Sequence, residues 1–156
     1  SRGGLLVALE QSQLTVFGGA MVDLYAYHNS QVTIMGGSIS RYQANHNGHI
    51  DVYGGSVSRH ITAGLNGTIT IYGSSFAIDG VTFGYGEVSS IYNSKNYYME
   101  PARRLTGILA SGELIDVDFY LGDDAKIVLT PLPSSVILGS IGLTFSGWLL
   151  KRRKML

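Results

Sequence analysis

Histidines, arginines and carboxylates recur in this chain at intervals that could assemble chemistry. Asp23, Arg41 and Arg59 follow one another at a constant interval, His28 and His46 are separated by that same interval, and His49 and His60 fall nearby. Aligned imidazoles can ligate a metal or polarise a sugar, and an arginine beside a carboxylate can assist β-elimination. Asp116, Asp118, Asp123 and Asp124 offer oxygen ligands, but without the alternating spacing of a calcium loop. Thr15, Thr33 and Thr70 form a hydroxyl row that Asp51 interrupts. Glycoside hydrolysis needs two carboxylates held across a groove, and Asp23, Asp51 and Asp79 fall at different positions of the interval. The simpler account is that polar residues recur because the outward face of a repeat recurs. No catalytic residue, metal ligand or cofactor is assigned.

The interval itself comes from a repeat. Leu14-Thr15-Val16-Phe17-Gly18-Gly19, Val32-Thr33-Ile34-Met35-Gly36-Gly37 and Ile50-Asp51-Val52-Tyr53-Gly54-Gly55 are evenly spaced, and Ile69-Thr70-Ile71-Tyr72-Gly73-Ser74 follows one position late. Aliphatic residues two apart with Thr or Asp between them make one apolar and one polar face, as a half-buried strand requires. The glycine pair then ends the strand in a conformation that other residues reach only at a cost. Met21, Ile39, Val57 and Phe76 form a second apolar column, Ala8, Ala26, Ala44 and Thr62 a column of small residues, and Gln11, Asn29 and Asn47 a polar turn column that Leu65 breaks.

Strands recurring at this interval are parallel and cannot pair as hairpins, so they must stack as rungs. The pattern resembles a parallel β-helix of about 18 residues per rung. A left-handed hexapeptide prism would need an aliphatic residue at every sixth position, and Leu14, Ala20, Ala26, Val32, Ser38 and Ala44 satisfy only one position in three. We therefore expect a right-handed, all-β solenoid over residues 1–92, with a truncated first rung. Residues 93–129 are expected to form an irregular cap in which Leu105–Leu109, Ile115–Phe119 and Ala125–Leu129 make two hairpins or a three-strand meander.

Composition narrows the class. Glycine supplies 21 of 156 residues, cysteine none, and charged residues only 14%. A charged helical bundle, charge-driven disorder and any disulfide framework are excluded. The formal charge is zero, but Lys151, Arg152, Arg153 and Lys154 hold four of the eleven basic groups, leaving residues 1–150 with seven basic and eleven acidic side chains. An acidic body with so few dispersed cations is not expected to bind nucleic acid.

The C-terminal end of the chain carries the most specific signal. Pro131-Leu132-Pro133 precedes an uncharged run, 134–150, and then the four cations. As a helix that run would span about 25 Å, enough to just cross a bilayer, with the cations on the cytoplasmic side. Proline, apolar segment and basic end, in that order, resemble the PEP-CTERM sorting signal of Gram-negative bacteria. Thr130-Pro131-Leu132-Pro133-Ser134-Ser135 looks like its VPLPA variant, although Leu132 replaces the Glu of the commoner form. The resemblance covers residues 130–156. It implies export, at least transient anchoring in the inner membrane through a helix at 134–150, recognition by an exosortase through Pro131, Leu132 and Pro133, and retention by Lys151, Arg152, Arg153 and Lys154. Transfer to the cell surface or extracellular matrix would follow.

Because the register places residues 2–13 in the second part of a coil, the chain is expected to be the C-terminal fragment of a longer exported protein. Its expected role is structural or adhesive, with extracellular polysaccharide as a partner. The alternative is the end of a β-helix polysaccharide lyase or glycoside hydrolase.

Overall fold

The computed structural model describes residues 3–88 and 102–133. Strands β1 (Gly4–Ala8), β3 (Ala20–Ala26), β5 (Ser38–Ala44) and β7 (Ser56–Ala63) pair in parallel to form sheet A. Strands β2 (Gln13–Val16), β4 (Gln31–Ile34), β6 (His49–Val52) and the first half of β8 (Thr68–Ile78) pair in parallel to form sheet B. Four coils, each one strand of either sheet, stack into a parallel β-solenoid whose successive turns are about 18 residues apart.

The core lies between the sheets and is built from columns. Val32, Ile50, Ile69 and Ile127 form one and Ile34, Val52, Ile71 and Leu129 another, all buried on sheet B. Leu24, Tyr42, Ile61 and Phe119 face them from sheet A. Each inward aliphatic chain removed from water contributes about 1.5–3 kcal/mol, and it is the neighbouring rungs that complete the burial.

Two corners close each coil. At one, Gly19, Gly37 and Gly55 have φ of 97°, 103° and 91°, left-handed values that a side chain would strain. At the other, residue pairs such as His28-Asn29 and His46-Asn47 adopt left-handed φ of 48–63°. The corners are tied to the next rung by backbone bonds, Gln11 N–H to His28 O at 3.1 Å and Asn29 N–H to His46 O at 3.4 Å. The same corner brings rungs together so tightly that a Cβ on Gly48 would collide with Ala26 O, and one on Gly67 with Ala44 O.

A β-bulge in β7 explains why the fourth copy of the repeat comes late. The register with β5 shifts between Ile39 and Arg41, so Arg41 pairs with His60, Gln43 with Thr62 and Ala44 with Ala63. Columns drawn at a strictly constant interval therefore slip by one position after the bulge. Ala63, not Thr62, continues the small column, and His60, not Arg59, follows Asp23 and Arg41. Asn66, with φ 63°, takes the corner position of Asn29 and Asn47, while Leu65 takes that of His28 and His46.

The expected hairpin cap is corrected by the topology. β11 (Arg103–Leu109) and β12 (Leu114–Leu121) do form an antiparallel hairpin, but it is inserted into the solenoid. β12 stacks in parallel on β7, and β11 pairs antiparallel with the second half of β8, so Phe76 does not continue the column of Val57. The expected second hairpin is replaced by parallel stacking: β13 (Lys126–Thr130) lies on the first half of β8, and β12 with β13 supplies the next coil. The short strands β9 (Val81–Thr82) and β10 (Gly86–Val88) then pair antiparallel with β8 and β13. Short antiparallel edges of this kind stop further parallel stacking.

Among the described residues the fold carries no membrane helix, and the expected fold is corrected to all-β there: they contain no helix, and so none long and apolar enough to cross a membrane. The segment 134–150 and Lys151, Arg152, Arg153 and Lys154 lie outside the described residues. Pro131, Leu132 and Pro133 follow β13 without regular structure, where a proline cannot extend the ladder.

Candidate functional site

Alternation along the strands sends every second residue of sheet B to its outer face. On β6 these are His49 and Asp51, with Tyr53 just beyond the strand end; on the first half of β8 they are Thr68, Thr70 and Tyr72; on β4 they are Gln31 and Thr33. Register brings Thr33, Asp51 and Thr70 into one column and Gln31, His49 and Thr68 into the next.

Asp51 lies at the centre and is only 8% exposed, because its neighbours fold over it. Gln31 Nε2 donates to its Oδ2 at 3.1 Å, His49 Nε2 lies 3.0 Å from Oδ1, and Tyr72 O–H donates to Oδ1 at 3.4 Å. Thr70 Oγ1 is 3.3 Å from the same His49 nitrogen. Burial by itself would raise the Asp51 pKa, but the hydrogen bonds from His49, Gln31 and Tyr72 and the His49 charge outweigh it and hold the carboxyl below its usual range. One carboxylate therefore orients three side chains around itself.

Beside this cluster runs an apolar column. Tyr53 and Tyr72 stack with ring centroids 4.1 Å apart and planes within 5°. Met35 and Phe17 hold the corresponding positions on the two earlier rungs, and Phe17 is 78% exposed. Burial raises the Tyr72 hydroxyl well above the usual phenol range, with Tyr53 and Asp51 adding to the effect. The face thus combines amphoteric hydrogen-bonding groups, a buried carboxylate and a strip of exposed apolar area.

The residues singled out in the sequence distribute differently. His28 and His46 do stack, at 5.1 Å, at the corner beside Tyr27. Asp23 and Arg41 form a two-point ion pair on sheet A, at 2.6 and 2.8 Å. His49 and His60 are not brought together, since they belong to the outer faces of different sheets. His60 lies in the column with Arg41 and Asp118 and packs edge-on against Tyr120 at 5.5 Å. Its burial, with Arg41 and then Arg59, lowers its pKa against the opposing pull of Asp118 and Asp23. Asp116 and Asp118 are engaged by Arg104 at 2.6 and 2.9 Å, away from Asp123 and Asp124 in the turn before β13. Among the described residues no group of three His, Asp or Glu is placed to hold a metal ion.

Gln31, Tyr53, Tyr72, Met35 and Phe17 belong to the site without standing out as site residues in the sequence. A signal is nevertheless present: the position before the Gly-Gly or Gly-Ser pair is a large apolar or aromatic residue in all four copies. No family model matches the chain, nor does any curated protein or solved structure.

Proposed function

We propose that this chain is an adhesive or structural module of the cell surface or extracellular matrix, and that the outer face of sheet B is where it contacts polysaccharide. The observation that carries the reading is the juxtaposition of the Gln31, His49, Asp51 and Thr70 cluster with the stacked Tyr53 and Tyr72. Sugars present hydroxyls that donate and accept together with apolar C–H patches, and this face offers partners for both. Among the described residues, the cluster is built on a single carboxylate held by three donors, which suits orientation of neighbours better than proton transfer.

Delivery to that location is part of the same proposal. Pro131-Leu132-Pro133, the uncharged run and Lys151–Lys154 support export and sorting by an exosortase. In a host carrying an exosortase, neutralising Lys151, Arg152, Arg153 and Lys154 should abolish retention at the inner membrane; unchanged fractionation would remove the sorting proposal. For the binding face, Tyr72→Ala with His49→Ala should abolish retardation in a polysaccharide-containing native gel. Retardation equal to that of the parent chain would refute the assignment of this face.

A further inference from the structure

We infer that the ligand of the sheet B face is an electrically neutral, extended glycan lying along the coil axis, one sugar per rung, and that polyuronates are excluded. The inference rests on the polysaccharide reading above and adds the ligand's charge and direction.

Direction follows from the columns. Strands in a sheet repeat at about 4.8 Å, an advance comparable to one pyranose unit of an extended chain. Gln31, His49 and Thr68 repeat at that interval on one side of the central column, and Met35, Tyr53 and Tyr72 on the other. A chain crossing β2, β4, β6 and β8 would meet a hydrogen-bonding residue on one side (Gln13, Gln31, His49, Thr68) and a large apolar or aromatic one on the other (Phe17, Met35, Tyr53, Tyr72). One lying along a strand would leave the set within a single coil, because β2, β4 and β6 are each only 4 residues long.

Charge follows from what the face contains. Of its described side chains, Asp51 is the central charged group, and hydrogen bonding holds it ionised. The cation in line with Gln31, His49 and Thr68 is Lys126, whose Nζ already lies 3.8 Å from a Glu87 carboxylate oxygen. Arg41 and Arg104 project with sheet A and are occupied by Asp23 and by Asp116 and Asp118. A row of uronate carboxylates laid over Asp51 would meet like charge, while His49 and Lys126 each already face a carboxylate of this chain, at 3.0 and 3.8 Å. Neutral hydroxyls would meet the donors and acceptors of Gln31, His49 and Thr70.

The test is affinity of the full chain for cellohexaose against hexagalacturonate, measured by calorimetry at low and high salt, with the parent chain and with Asp51→Asn. The expected result is at least tenfold tighter binding of cellohexaose at low salt. Raising the salt should narrow that ratio, because screening weakens the repulsion, and Asp51→Asn should narrow it as well. The salt arm needs no substitution, so it stands whether or not the variant folds. Affinity should also rise from disaccharide to tetrasaccharide as further rungs are engaged. Equal or tighter binding of hexagalacturonate, or a ratio insensitive to salt, would overturn the charge inference while leaving a polysaccharide-binding protein. Affinity that is flat beyond the disaccharide would overturn the direction. Binding of neither sugar would overturn both this inference and the reading beneath it.

Discussion

Asp51 and Tyr42 show how differently a buried polar group can be handled in one solenoid. Asp51 is covered yet satisfied by Gln31, His49 and Tyr72. A carboxyl whose folded pKa lies below its unfolded value stabilises the fold above the unfolded value, and the contribution disappears as pH falls through the folded one. Replacing Asp51 by Asn should therefore lower stability by about 1–3 kcal/mol at neutral pH, with the deficit shrinking below the ordinary carboxylate range in pH-dependent urea melts. His60 acts at higher pH. Its lowered pKa means that the unfolded chain takes up the proton first, so stability declines as pH falls through the ordinary histidine range. His60→Gln should flatten that part of the profile and leave the lower part intact. Tyr42 is 2% exposed, faces the core, and has no hydrogen-bond partner for its hydroxyl among the described residues. Tyr42→Phe should be neutral or stabilising by about 1 kcal/mol, because a buried unpaired hydroxyl is removed without changing the ring; a loss of more than that would show a partner for the hydroxyl.

At the level of elements, the corners and the inserted hairpin determine what the coils can tolerate. Gly48 meets Ala26 O and Gly67 meets Ala44 O, whereas a Cβ on Gly18 would meet nothing within 4 Å. Gly48→Ala should then destabilise by about 1–3 kcal/mol, and Gly18→Ala should remain within about 0.5 kcal/mol of the parent in thermal melts. The hairpin is anchored at its tip, where Ser111 N–H donates to Tyr53 O at 2.9 Å and the Glu113 carboxylate accepts from Gly55 N–H and Ser111 O–H. Glu113→Ala should cost about 1 kcal/mol and raise amide exchange in β11 and β12 before the coils. The inward columns and the Gly-Gly corners were legible in the sequence because one strand per repeat fixes both. The bulge was not, since a single extra residue in β7 leaves the alternation on either side intact and shows only as a one-position delay in the fourth copy. Nor was the insertion of β11 and β12 legible: residues 73–78 keep the look of a coil strand, and only long-range pairing reveals that β12 occupies the place on β7.

For the whole molecule, function depends on rungs repeating chemistry along an axis. A charge at Ile39, 2% exposed and in the column of Met21 and Val57, should disrupt several rungs together; Ile39→Asp with an unaltered melting curve would refute the stacked register. The sheet B face was only half legible, because Asp51 read as an interruption of a threonine row, whereas it is the group around which Gln31, His49 and Tyr72 assemble. The most direct measurement is a two-dimensional NMR titration of the full chain with cellohexaose. The largest shifts are expected at Gln31, His49, Thr70 and Tyr72, continuing along neighbouring rungs of sheet B. Shifts confined to Tyr25, Arg41, His60 and Tyr120 on sheet A would contradict it.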